Sequence, residues 1–558
     1  MNPTGAARTA ELNTLWSAAI VEELVRHGVD TFAIAPGSRS TPLVAAIAAN
    51  PRAHSVVLSD ERVAAFFALG HGRARRVAAA LVTTSGTAPA HAFPAVLEAE
   101  ADGVPLLVLS ADRPPELRHS GANQTVDQVR LFGAHVRWHS DLPCPTEDIN
   151  IIAVLGHVAH GVRRTQDPPG PVHLNLMFRK PLEPAAGIAP DAALWPDAVR
   201  PRGRWSRAVR GVAVADAVGL NALLARAERG LVVVGGLADE AERVAVRRLV
   251  GRLGWPVFAD VASGLRLGAA APVVPLLDEL LGDPAWAAAE APDVVLQLGG
   301  RVVSARLERW LAAARPREHV RVKADPARDD PAGTVTWRLE ADADALADAL
   351  VARPLDPRVA LWRERSAAAE RALDATPDDP SALTEAALAR LVSRSVRPGT
   401  ALFVGNSMPV RDLDRWGASD GASLVVGANR GASGIDGLVA TATGFSHGLG
   451  RPVVLVLGDQ SFGHDVGGLA AAVRAGVSLT IVVVNNGGGH IFDALPIAGH
   501  PELLARYFTA SQAWSLAALC EGYGVPHERV ASGRALADAL AREGTGPRVI
   551  EAVTERPG

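Results

Sequence analysis

Short apolar runs recur along this chain, and each is followed by a cluster of glycine and polar residues. The pattern is clearest near the carboxyl end, where residues 452–457 and 479–484 are apolar and are separated by a stretch with helical periodicity. Apolar runs of this length, bounded by turn residues and alternating with helices, predict buried parallel strands. The sequence therefore predicts an α/β fold of doubly wound parallel sheets.

The alternation predicts three domains, and a chain of 558 residues is long enough for them, because single cores rarely grow past about 250–300 residues. The predicted domains are 1–185, 205–355 and 380–558. The predicted strands are 31–35, 55–58, 78–83, 105–109 and 170–176 in the first domain, 230–234, 256–259, 293–298 and 319–322 in the second, and 400–404, 423–426, 452–457, 479–484 and 548–553 in the third. The first and third domains are expected to be coarse structural copies of one another.

The second domain offers one incomplete motif. Gly235 and Gly236 follow its first predicted strand, as in a Rossmann-like nucleotide-binding turn. Because the rest of that pattern is missing, a spacer domain of the same sheet type is the favoured interpretation, and nucleotide binding is the alternative.

The composition argues against several classes of protein. Hydrophobic residues make up 48% of the chain and the net charge is −4, so we expect a large core and no broad nucleic-acid or anionic-membrane surface. Cys144 and Cys520 are too few for a disulfide framework. No apolar run approaches the ~20 residues of a membrane span, and the first residues lack the pattern of a signal peptide. A soluble cytoplasmic protein is therefore expected.

Lysine is rare, and this narrows the chemistry. It occurs only at Lys180 and Lys323, neither of which lies in a glycine-rich or strand-end context. Pyridoxal-phosphate and other Schiff-base chemistry is therefore disfavoured. No Gly-Lys-Ser/Thr sequence is present, so a Walker-type phosphate loop is also absent from the sequence.

Two polar clusters follow neighbouring predicted strands of the third domain. Gly458 and Asp459 end the first strand, and Asn486 stands in a glycine-rich stretch after the second. Ligands of open α/β sheets bind at the carboxyl ends of the strands. Carboxylate and amide oxygens suit Mg²⁺, and glycines let the backbone approach a phosphate. The alternative is an ordinary βαβ unit whose loops happen to contain these residues.

This spacing resembles the diphosphate-binding signature of thiamine-diphosphate enzymes. The resemblance implies that Asp459, Asn486 and the carbonyl of Gly488 hold Mg²⁺ or Mn²⁺. One departure is visible, since Gln460 stands where many relatives have glycine. The cofactor-binding residues that the resemblance implies are Glu61, Ile435, Gly458, Asp459, Gln460, Ser461, Asn486, Gly488 and Ile491.

Glu61 is the catalytic residue implied by the same resemblance. The cofactor's aminopyrimidine ring needs a carboxyl group at a ring nitrogen, so that its imine form can remove the thiazolium proton. Glu61 follows a short predicted strand and precedes an apolar helix, like the glutamate of the family. The alternative is a first-turn glutamate favoured by the helix dipole.

Longer blocks resemble the menaquinone-biosynthesis branch of the family. They are residues 35–43, 111–117, 121–128 and 429–437, and the resemblance runs along nearly the whole chain. It implies decarboxylation of 2-oxoglutarate and 1,4-addition of the resulting carbanion to isochorismate. Both substrates carry two carboxylates, which arginine binds with two parallel hydrogen bonds.

The branch also implies which residues contact each substrate. Ser38, Arg39, Arg113 and Gln124 would lie on the isochorismate side, whereas Ser407, Arg411 and Arg430, with Arg306 of the second domain, would hold the part derived from 2-oxoglutarate. Ala305 stands where relatives often have lysine, which weakens the case for a second cation from that domain. Each arginine has the alternative of an ordinary surface group.

Three apolar residues lie within polar loops of the third domain. The resemblance implies that Ile435 wedges between the two cofactor rings, and that Ile491 and Phe492 line the pocket, with Phe492 on the substrate. Plain packing is the alternative. His464 and His490 lie near the signature, but the cofactor's own amino group can move the necessary protons.

Two other functions stay open. One is a neighbouring thiamine enzyme, such as an acetolactate synthase or a 2-oxoacid decarboxylase. The other is a catalytically silent binding protein whose second domain senses a nucleotide. Because family members form their site across a subunit interface, the resemblance implies a homodimer or homotetramer acting on small molecules, with no nucleic-acid or membrane partner.

Overall fold

The computed structural model describes residues 3–184, 203–204, 206, 217–326, 329–375, 382–542 and 544–555. The chain forms two compact units. Unit 1 comprises Met1–Arg210, Asn429–Gly450 and His464–Val477, and unit 2 comprises Gly211–Ala428, Arg451–Gly463 and Ser478–Gly558. Within the described residues, no helix has both the length and the apolar character needed to cross a membrane.

Strands and helices alternate along the described chain. The strands are β1 (Thr31–Ile34), β2 (His54–Val57), β3 (Ala79–Thr83), β4 (Leu106–Asp112), β5 (Trp138–Leu142), β6 (Pro171–Met177), β7 (Gly230–Val234), β8 (Val257–Ala259), β9 (Val294–Leu298), β10 (Glu318–Lys323), β11 (Trp337–Glu340), β12 (Ala401–Val404), β13 (Val426–Ala428), β14 (Val453–Gly458), β15 (Leu479–Asn485), β16 (His527–Val530) and β17 (Arg548–Val553).

The helices connect these strands. They are α1 (Pro3–Arg26), α2 (Thr41–Ala49), α3 (Glu61–Arg75), α4 (Phe93–Asp102), α5 (Ile151–Arg164), α6 (Ala217–Ala225), α7 (Glu240–Leu253), α8 (Leu277–Leu280), α9 (Pro284–Ala289), α10 (Ala305–Ala314), α11 (Ala343–Ala349), α12 (Pro357–Ala375), α13 (Glu385–Ser395), α14 (Met408–Trp416), α15 (Leu438–Leu449), α16 (Asp459–His464), α17 (Gly468–Ala475), α18 (Pro501–Leu503), α19 (Leu516–Gly522) and α20 (Gly533–Ala541).

The strands form three parallel sheets. Unit 1 holds one sheet in the order β2-β1-β3-β4-β6-β5, and unit 2 holds two, in the orders β11-β10-β9-β7-β8 and β13-β12-β14-β15-β17-β16. The first and third orders are the same pattern, which agrees with the expectation of structural copies. The predicted α/β class with three doubly wound parallel sheets is confirmed.

Each face of the first sheet has its own core, because neighbouring residues of a strand point to opposite faces. Phe32 and Ile34 of β1 belong to a cluster with residues of α1 and α5. Ala33 belongs to a second cluster with residues of α3 and α4, to which Ala440 of α15 also belongs. The sheet is therefore covered on both faces.

Within unit 1, α3 and α15 pack with their backbones almost in contact. A Cβ added to Gly70 would lie 1.9 Å from the carbonyl oxygen of Thr441, and one added to Gly444 would lie 1.9 Å from that of Phe67. Only glycine permits this approach. His71 and His447 also meet across the two helices, with their Nδ1 atoms 3.1 Å apart.

Most predicted strands agree with the observed ones to within a few residues, but residues 423–426 were placed too early. The observed strand is Val426–Ala428. The carbonyl oxygen of Leu424 accepts a hydrogen bond from the buried Arg243 at 2.7 Å, so that carbonyl is bound by a side chain of the central domain and the strand begins after it. The ladder with β12 pairs Leu402 with Val426.

Three observed strands were missed, and each is the last strand at one edge of its sheet. They are β5, β11 and β16, whose sequences are rich in polar residues. The domain boundaries at 185, 205 and 380 lie outside the described residues, and the predicted domain ranges stay a prediction.

Candidate active site

In unit 2 the two polar clusters of the third domain lie at adjoining strand ends. β14 and β15 are parallel neighbours, and Gly458 is paired with Val484. Asp459 follows the end of β14 directly, and Asn486 follows the end of β15. The expected pair of clusters therefore shares one edge of the sheet.

Asp459 is buried at this edge. Its carboxylate accepts a hydrogen bond from the backbone N–H of Gln460 at 2.7 Å. Burial raises the pKa of Asp459, while the N–H groups of Gln460 and Gly488 and the charge of His490 oppose that rise. Gly488 is thus close enough to Asp459 to influence its carboxylate, and a nearby cation would favour the ionised form.

Asn486 is oriented by an acid from a distant part of the chain. Its Nδ2 donates to Oε1 of Glu385 at 2.7 Å. Burial raises the pKa of Glu385. Burial and the neighbouring charge of Glu385 raise the pKa of Asp412 to about 8, so the two acids form a buried pair behind Asn486. Because the nitrogen of the Asn486 amide is held by Glu385, the amide oxygen is the atom of this side chain that could bind a cation.

The adjacent Asn485 has a structural role instead. Its Nδ2 donates to Oε1 of Glu551 at 2.8 Å, and its Oδ1 accepts from the N–H of Gly487 at 3.2 Å. The two asparagines thus donate to different acids, Asn485 to Glu551 and Asn486 to Glu385.

The glycine-rich turn after β15 is shaped by close contact with a later segment. Gly488 has φ +150°, and an added Cβ would lie 2.4 Å from the carbonyl oxygen of Thr509. Gly489 donates its N–H to that same oxygen at 2.6 Å. Phe492 packs against Phe508 with ring centroids 5.2 Å apart. Ile491 is half-buried beside it, and His490 pairs with Asp493 at 2.6 Å.

These residues fit a diphosphate and a divalent cation. The side chain of Gln460 lies close enough to the carboxylate of Asp459 to help lower its pKa, and its amide N–H group is of the kind that binds a phosphate oxygen. Gly458 and the buried Ser461 flank the same turn. In the described part of the chain, no group of three or more His, Cys, Asp or Glu side chains could hold a metal ion. A cation here would therefore add amide and backbone oxygens to the carboxylate of Asp459, which suits Mg²⁺.

Two further predicted residues of unit 2 lie at the end of β12. Ser407 has φ +69° at the start of α14, a rare conformation for a residue with a side chain. Nη1 of Arg411 donates to the carbonyl oxygen of Ser407 at 2.5 Å. The turn therefore holds both predicted residues at one strand end.

Arg306 lies on α10 of the central domain. Its Nη1 donates to the backbone oxygen of Asp278 at 2.7 Å and to its carboxylate at 3.2 Å. That Arg306 contacts substrate stays a prediction. Such a contact would compete with the hydrogen bonds to Asp278.

In unit 1 Glu61 is the first residue of α3. Asp60 is the N-cap, and its carboxylate accepts from the N–H groups of Arg62 and Val63 at 2.8 and 3.2 Å. Because Asp60 already caps the helix, the half-buried Glu61 is not required for that purpose. Glu61 is also an acid in the first turn of α3, as the helix-dipole alternative requires, and its catalytic role stays a prediction.

Arg39 and Arg113 form a cationic pair at the ends of β1 and β4. Nη1 of the buried Arg39 donates to the carbonyl oxygen of Phe178 at 2.7 Å. Burial and the neighbouring charge of Arg113 lower the pKa of Arg39 to about 10. The Nε atoms of both arginines are buried and lack hydrogen-bond partners in the described chain. A carboxylate ligand would satisfy them, and Ser38 directly precedes Arg39.

Gln124 reaches the end of β3. Its Nε2 donates to the backbone oxygen of Ser85 at 3.1 Å, and the backbone oxygen of Gln124 accepts from Ser85 Oγ at 3.0 Å. A Cβ on Gly86 would lie 2.8 Å from Cγ of Gln124. Since β3 lies between β1 and β4, Gln124 joins the edge that carries Arg39 and Arg113.

Arg430 and Ile435 lie in a loop of unit 1 that precedes α15. Arg430 is half-buried, and Ile435 is 38% exposed. An isoleucine this exposed gains little from packing, and its predicted contact with the cofactor stays a prediction.

The structure thus groups the predicted residues within each unit. Unit 1 brings Ser38, Arg39, Arg113 and Gln124 to one sheet edge, and unit 2 brings Asp459, Asn486 and Gly488 to another.

Two acids that bind candidate site segments were missed by sequence reasoning. They are Glu385, which holds Asn486, and Glu98, which holds the loop of Arg430. No local sequence signal could have found them, because their partners lie 101 and more than 330 residues away.

Three family profiles match the chain. They are the N-terminal binding domain of thiamine pyrophosphate enzymes over residues 16–131, the middle domain over 215–404 and the C-terminal binding domain over 426–552. The three sheets and the β14–β15 edge are those of a thiamine-pyrophosphate-dependent enzyme.

Curated proteins resemble the chain along nearly its full length. One from Rubrobacter xylanophilus is 45% identical, over 98% of this chain and 96% of its own length. One from Salinibacter ruber is 44% identical, over 95% and 91%, and one from Chlorobium chlorochromatii is 41% identical, over 92% and 90%. All three are named 2-succinyl-5-enolpyruvyl-6-hydroxy-3-cyclohexene-1-carboxylate synthase, and this chain belongs to that family of enzymes.

Proposed function

We propose that the protein uses thiamine diphosphate to decarboxylate 2-oxoglutarate and joins the remaining four-carbon unit to isochorismate in menaquinone biosynthesis. The product is 2-succinyl-5-enolpyruvyl-6-hydroxy-3-cyclohexene-1-carboxylate, whose succinyl group is what 2-oxoglutarate leaves after losing carbon dioxide. The gathering of Asp459, Gly488 and Asn486 at one strand edge carries the proposal.

The cofactor would be held at the β14–β15 edge. Asp459, the amide oxygen of Asn486 and the carbonyl oxygen of Gly488 would bind Mg²⁺ or Mn²⁺, and Gln460 would donate to the diphosphate. When bound, thiamine diphosphate supplies the electron sink that lets a 2-oxo acid lose carbon dioxide and form a new carbon–carbon bond.

Glu61 would hold a proton at the pyrimidine ring. Its carboxyl group is placed at the start of α3, where Asp60 meets the capping requirement. Ile435, Ile491 and Phe492 would present apolar surface to the reacting groups. Excluding water in this way strengthens electrostatic interactions in the pocket.

The two substrates would be recognised by arginines at separate places. Arg39 and Arg113, whose buried Nε atoms lack partners among the described residues, would bind the carboxylates of isochorismate, with Ser38 and Gln124 beside them. Arg430, Arg411 and Ser407, and Arg306 with them, would bind the 2-oxoglutarate part. Fixed guanidinium groups also orient the substrates for attack at one ring carbon.

Assembly and location are part of the proposal. In a homodimer or homotetramer, Glu61 of one subunit would contact the cofactor bound by another. A sedimentation measurement that finds an active monomer would contradict this. Cys144 and Cys520 are buried free thiols, which supports a cytoplasmic location.

The proposal is tested by following isochorismate consumption by absorbance, with and without 2-oxoglutarate and thiamine diphosphate. Consumption that needs both is the expected result. Turnover of pyruvate alone would favour an acetolactate synthase or a 2-oxoacid decarboxylase, and cofactor binding without any turnover would favour a silent binding protein.

A further inference from the structure

Glu98 on α4 binds three consecutive backbone N–H groups of a distant loop. Its Oε1 accepts from Gly431 at 2.9 Å, and its Oε2 accepts from Ala432 at 2.7 Å and from Ser433 at 3.1 Å. The side chain is 3% exposed. The loop it binds is the one that carries Arg430 and Ile435.

The loop also lies against the backbone of α4. A Cβ added to Gly431 would lie 2.7 Å from the carbonyl oxygen of Glu98 and 2.9 Å from the nitrogen of Asp102. Glycine is therefore required for this contact, which brings the loop against the helix that carries Glu98.

The surroundings of Glu98 disfavour the ionised form of its side chain. Burial and the nearby Asp102 raise the pKa of Glu98, whereas Arg73 and the loop N–H groups lower it. Nη2 of Arg73 lies 3.4 Å from Glu98, but its Nη1 donates to Asp102 at 2.5 Å. Without the loop, Glu98 would be a buried acid with one shared cation, which is unfavourable.

A second buried acid, Asp465, binds the start of the helix that follows this loop. Oδ2 of Asp465, which is fully buried, accepts from the N–H of Ala440 in the first turn of α15 at 2.9 Å. The residue before α15, Gly437, has φ +64° and provides no side-chain cap. Asp465 therefore supplies the acceptor that this helix start would otherwise lack.

We propose that Glu98 is a positioning residue, which fixes the loop of residues 429–437 so that Arg430 and Ile435 face their ligands, while Asp465 fixes the helix that follows. This rests on the proposed function, in which Arg430 holds the 2-oxoglutarate part and Ile435 contacts the cofactor. Glu98 itself touches neither ligand and acts through the backbone.

The test compares Glu98→Gln with Glu100→Gln in the full-length enzyme. Glu100 lies on the same helix and is paired with Arg137 at 3.3 Å, so it controls for loss of an acid from α4. In E98Q an amide N–H group would face a loop N–H group, and one or more of the three hydrogen bonds would be lost. We expect the KM for 2-oxoglutarate to rise about tenfold or more and the KM for isochorismate to change less than about twofold.

Hydrogen exchange gives a readout that needs no substrate. The peptide that contains residues 429–437 should exchange faster in E98Q than in the wild type or E100Q, and Glu98→Asp should restore part of both effects because it keeps the charge. If E98Q does not fold, E98D carries the comparison with the same expected direction. The positioning role is overturned if exchange of this peptide is unchanged in E98Q. It is also overturned if exchange is faster but the two KM values are unchanged or rise equally. Absence of wild-type turnover contradicts the proposed function instead, so the two failures are distinguishable.

Discussion

Asn486 donates its side-chain amide to Glu385 at 2.7 Å, and this hydrogen bond determines which end of the amide faces the β14–β15 edge. An amide can bind a cation only through its oxygen. Glu385 therefore acts on the proposed metal site without belonging to it, as outer partners of metal ligands commonly do.

Replacing Glu385 by alanine should weaken binding of Mg²⁺. The amide of Asn486 would be free to rotate, and loss of such an outer partner typically lowers metal affinity by about 10- to 100-fold. The measurement is the Mg²⁺ dependence of turnover at saturating thiamine diphosphate.

Glu551→Ala is the matched control for that variant. Glu551 accepts from Asn485 in the same way, at 2.8 Å, but Asn485 is not a proposed ligand. The control should leave the Mg²⁺ dependence within about twofold of wild type. Equal weakening by both substitutions would mean that Glu385 acts only on folding.

Glu61→Gln should abolish turnover while sparing cofactor binding. Glutamine keeps the size of the side chain but cannot exchange a proton with the ring, and loss of such a group costs about 100- to 10,000-fold in rate. Turnover and a thiamine-diphosphate titration are measured on the same sample.

The neighbouring Asp60→Ala separates catalysis from helix capping. It removes the cap of α3 and should lower stability by about 1 kcal/mol while retaining most activity. Normal turnover by E61Q would refute the role assigned to Glu61.

Gly444→Ala should destabilise unit 1. The new methyl group would lie 1.9 Å from the carbonyl oxygen of Phe67, so α3 and α15 would have to separate and uncover part of the core. We expect the free energy of unfolding to fall by about 3 kcal/mol, the upper end of the usual range for overpacking. Thermal unfolding measures it.

Gly251→Ala is the corresponding control in an open position. Gly251 lies within α7 and an added Cβ there meets nothing within 4 Å. Alanine should therefore raise stability by about 0.5–1 kcal/mol. A similar loss in both variants would show that close helix packing is not the cause.

His71 should make the stability of unit 1 sensitive to acid. Burial, with the neighbouring charges of His447 and Arg75, lowers the pKa of His71 to about 3, below its ordinary value of 6.5. As the pH falls below about 6.5, the unfolded chain binds this proton and the folded one does not. The free energy of unfolding therefore decreases by about 1.4 kcal/mol per pH unit between these two values.

The measurement for His71 is a comparison of His71→Gln with wild type. Only the wild type loses stability because of His71 as the pH falls. The thermal midpoint of the variant should therefore rise relative to that of the wild type between pH 7.5 and pH 5.5. Asp30, which faces the same group and opposes the shift, is unchanged in both. A difference that does not vary with pH would contradict the buried, uncharged state of His71.

Apolar runs predicted the central strands because those strands are buried on both faces. β14 and β15 are the clearest examples, with strand positions predicted to within one residue. The strands β5, β11 and β16 were missed because each lies at a sheet edge and consists of only four or five residues, several of them polar. Periodicity over so few positions does not separate a strand from a loop.

The placement of candidate site residues was predictable where they directly follow strand ends. Asp459, Asn486 and Arg113 are of this kind. Glu98 and Glu385 were not predictable, since each reaches its partner across the fold and neither stands in a recognisable motif. The hydrogen bonds between Arg306 and Asp278 were not predictable either, because they depend on packing that the sequence does not display.

The repeated strand order of the first and third sheets places Arg113, after β4, at the position that Asn486, after β15, takes in the other copy. In the proposed function, the same layout would bind anionic substrate groups in the first sheet and a cation in the third. We therefore expect that substitutions at the first sheet can change acceptor preference without altering the residues proposed to hold the cofactor.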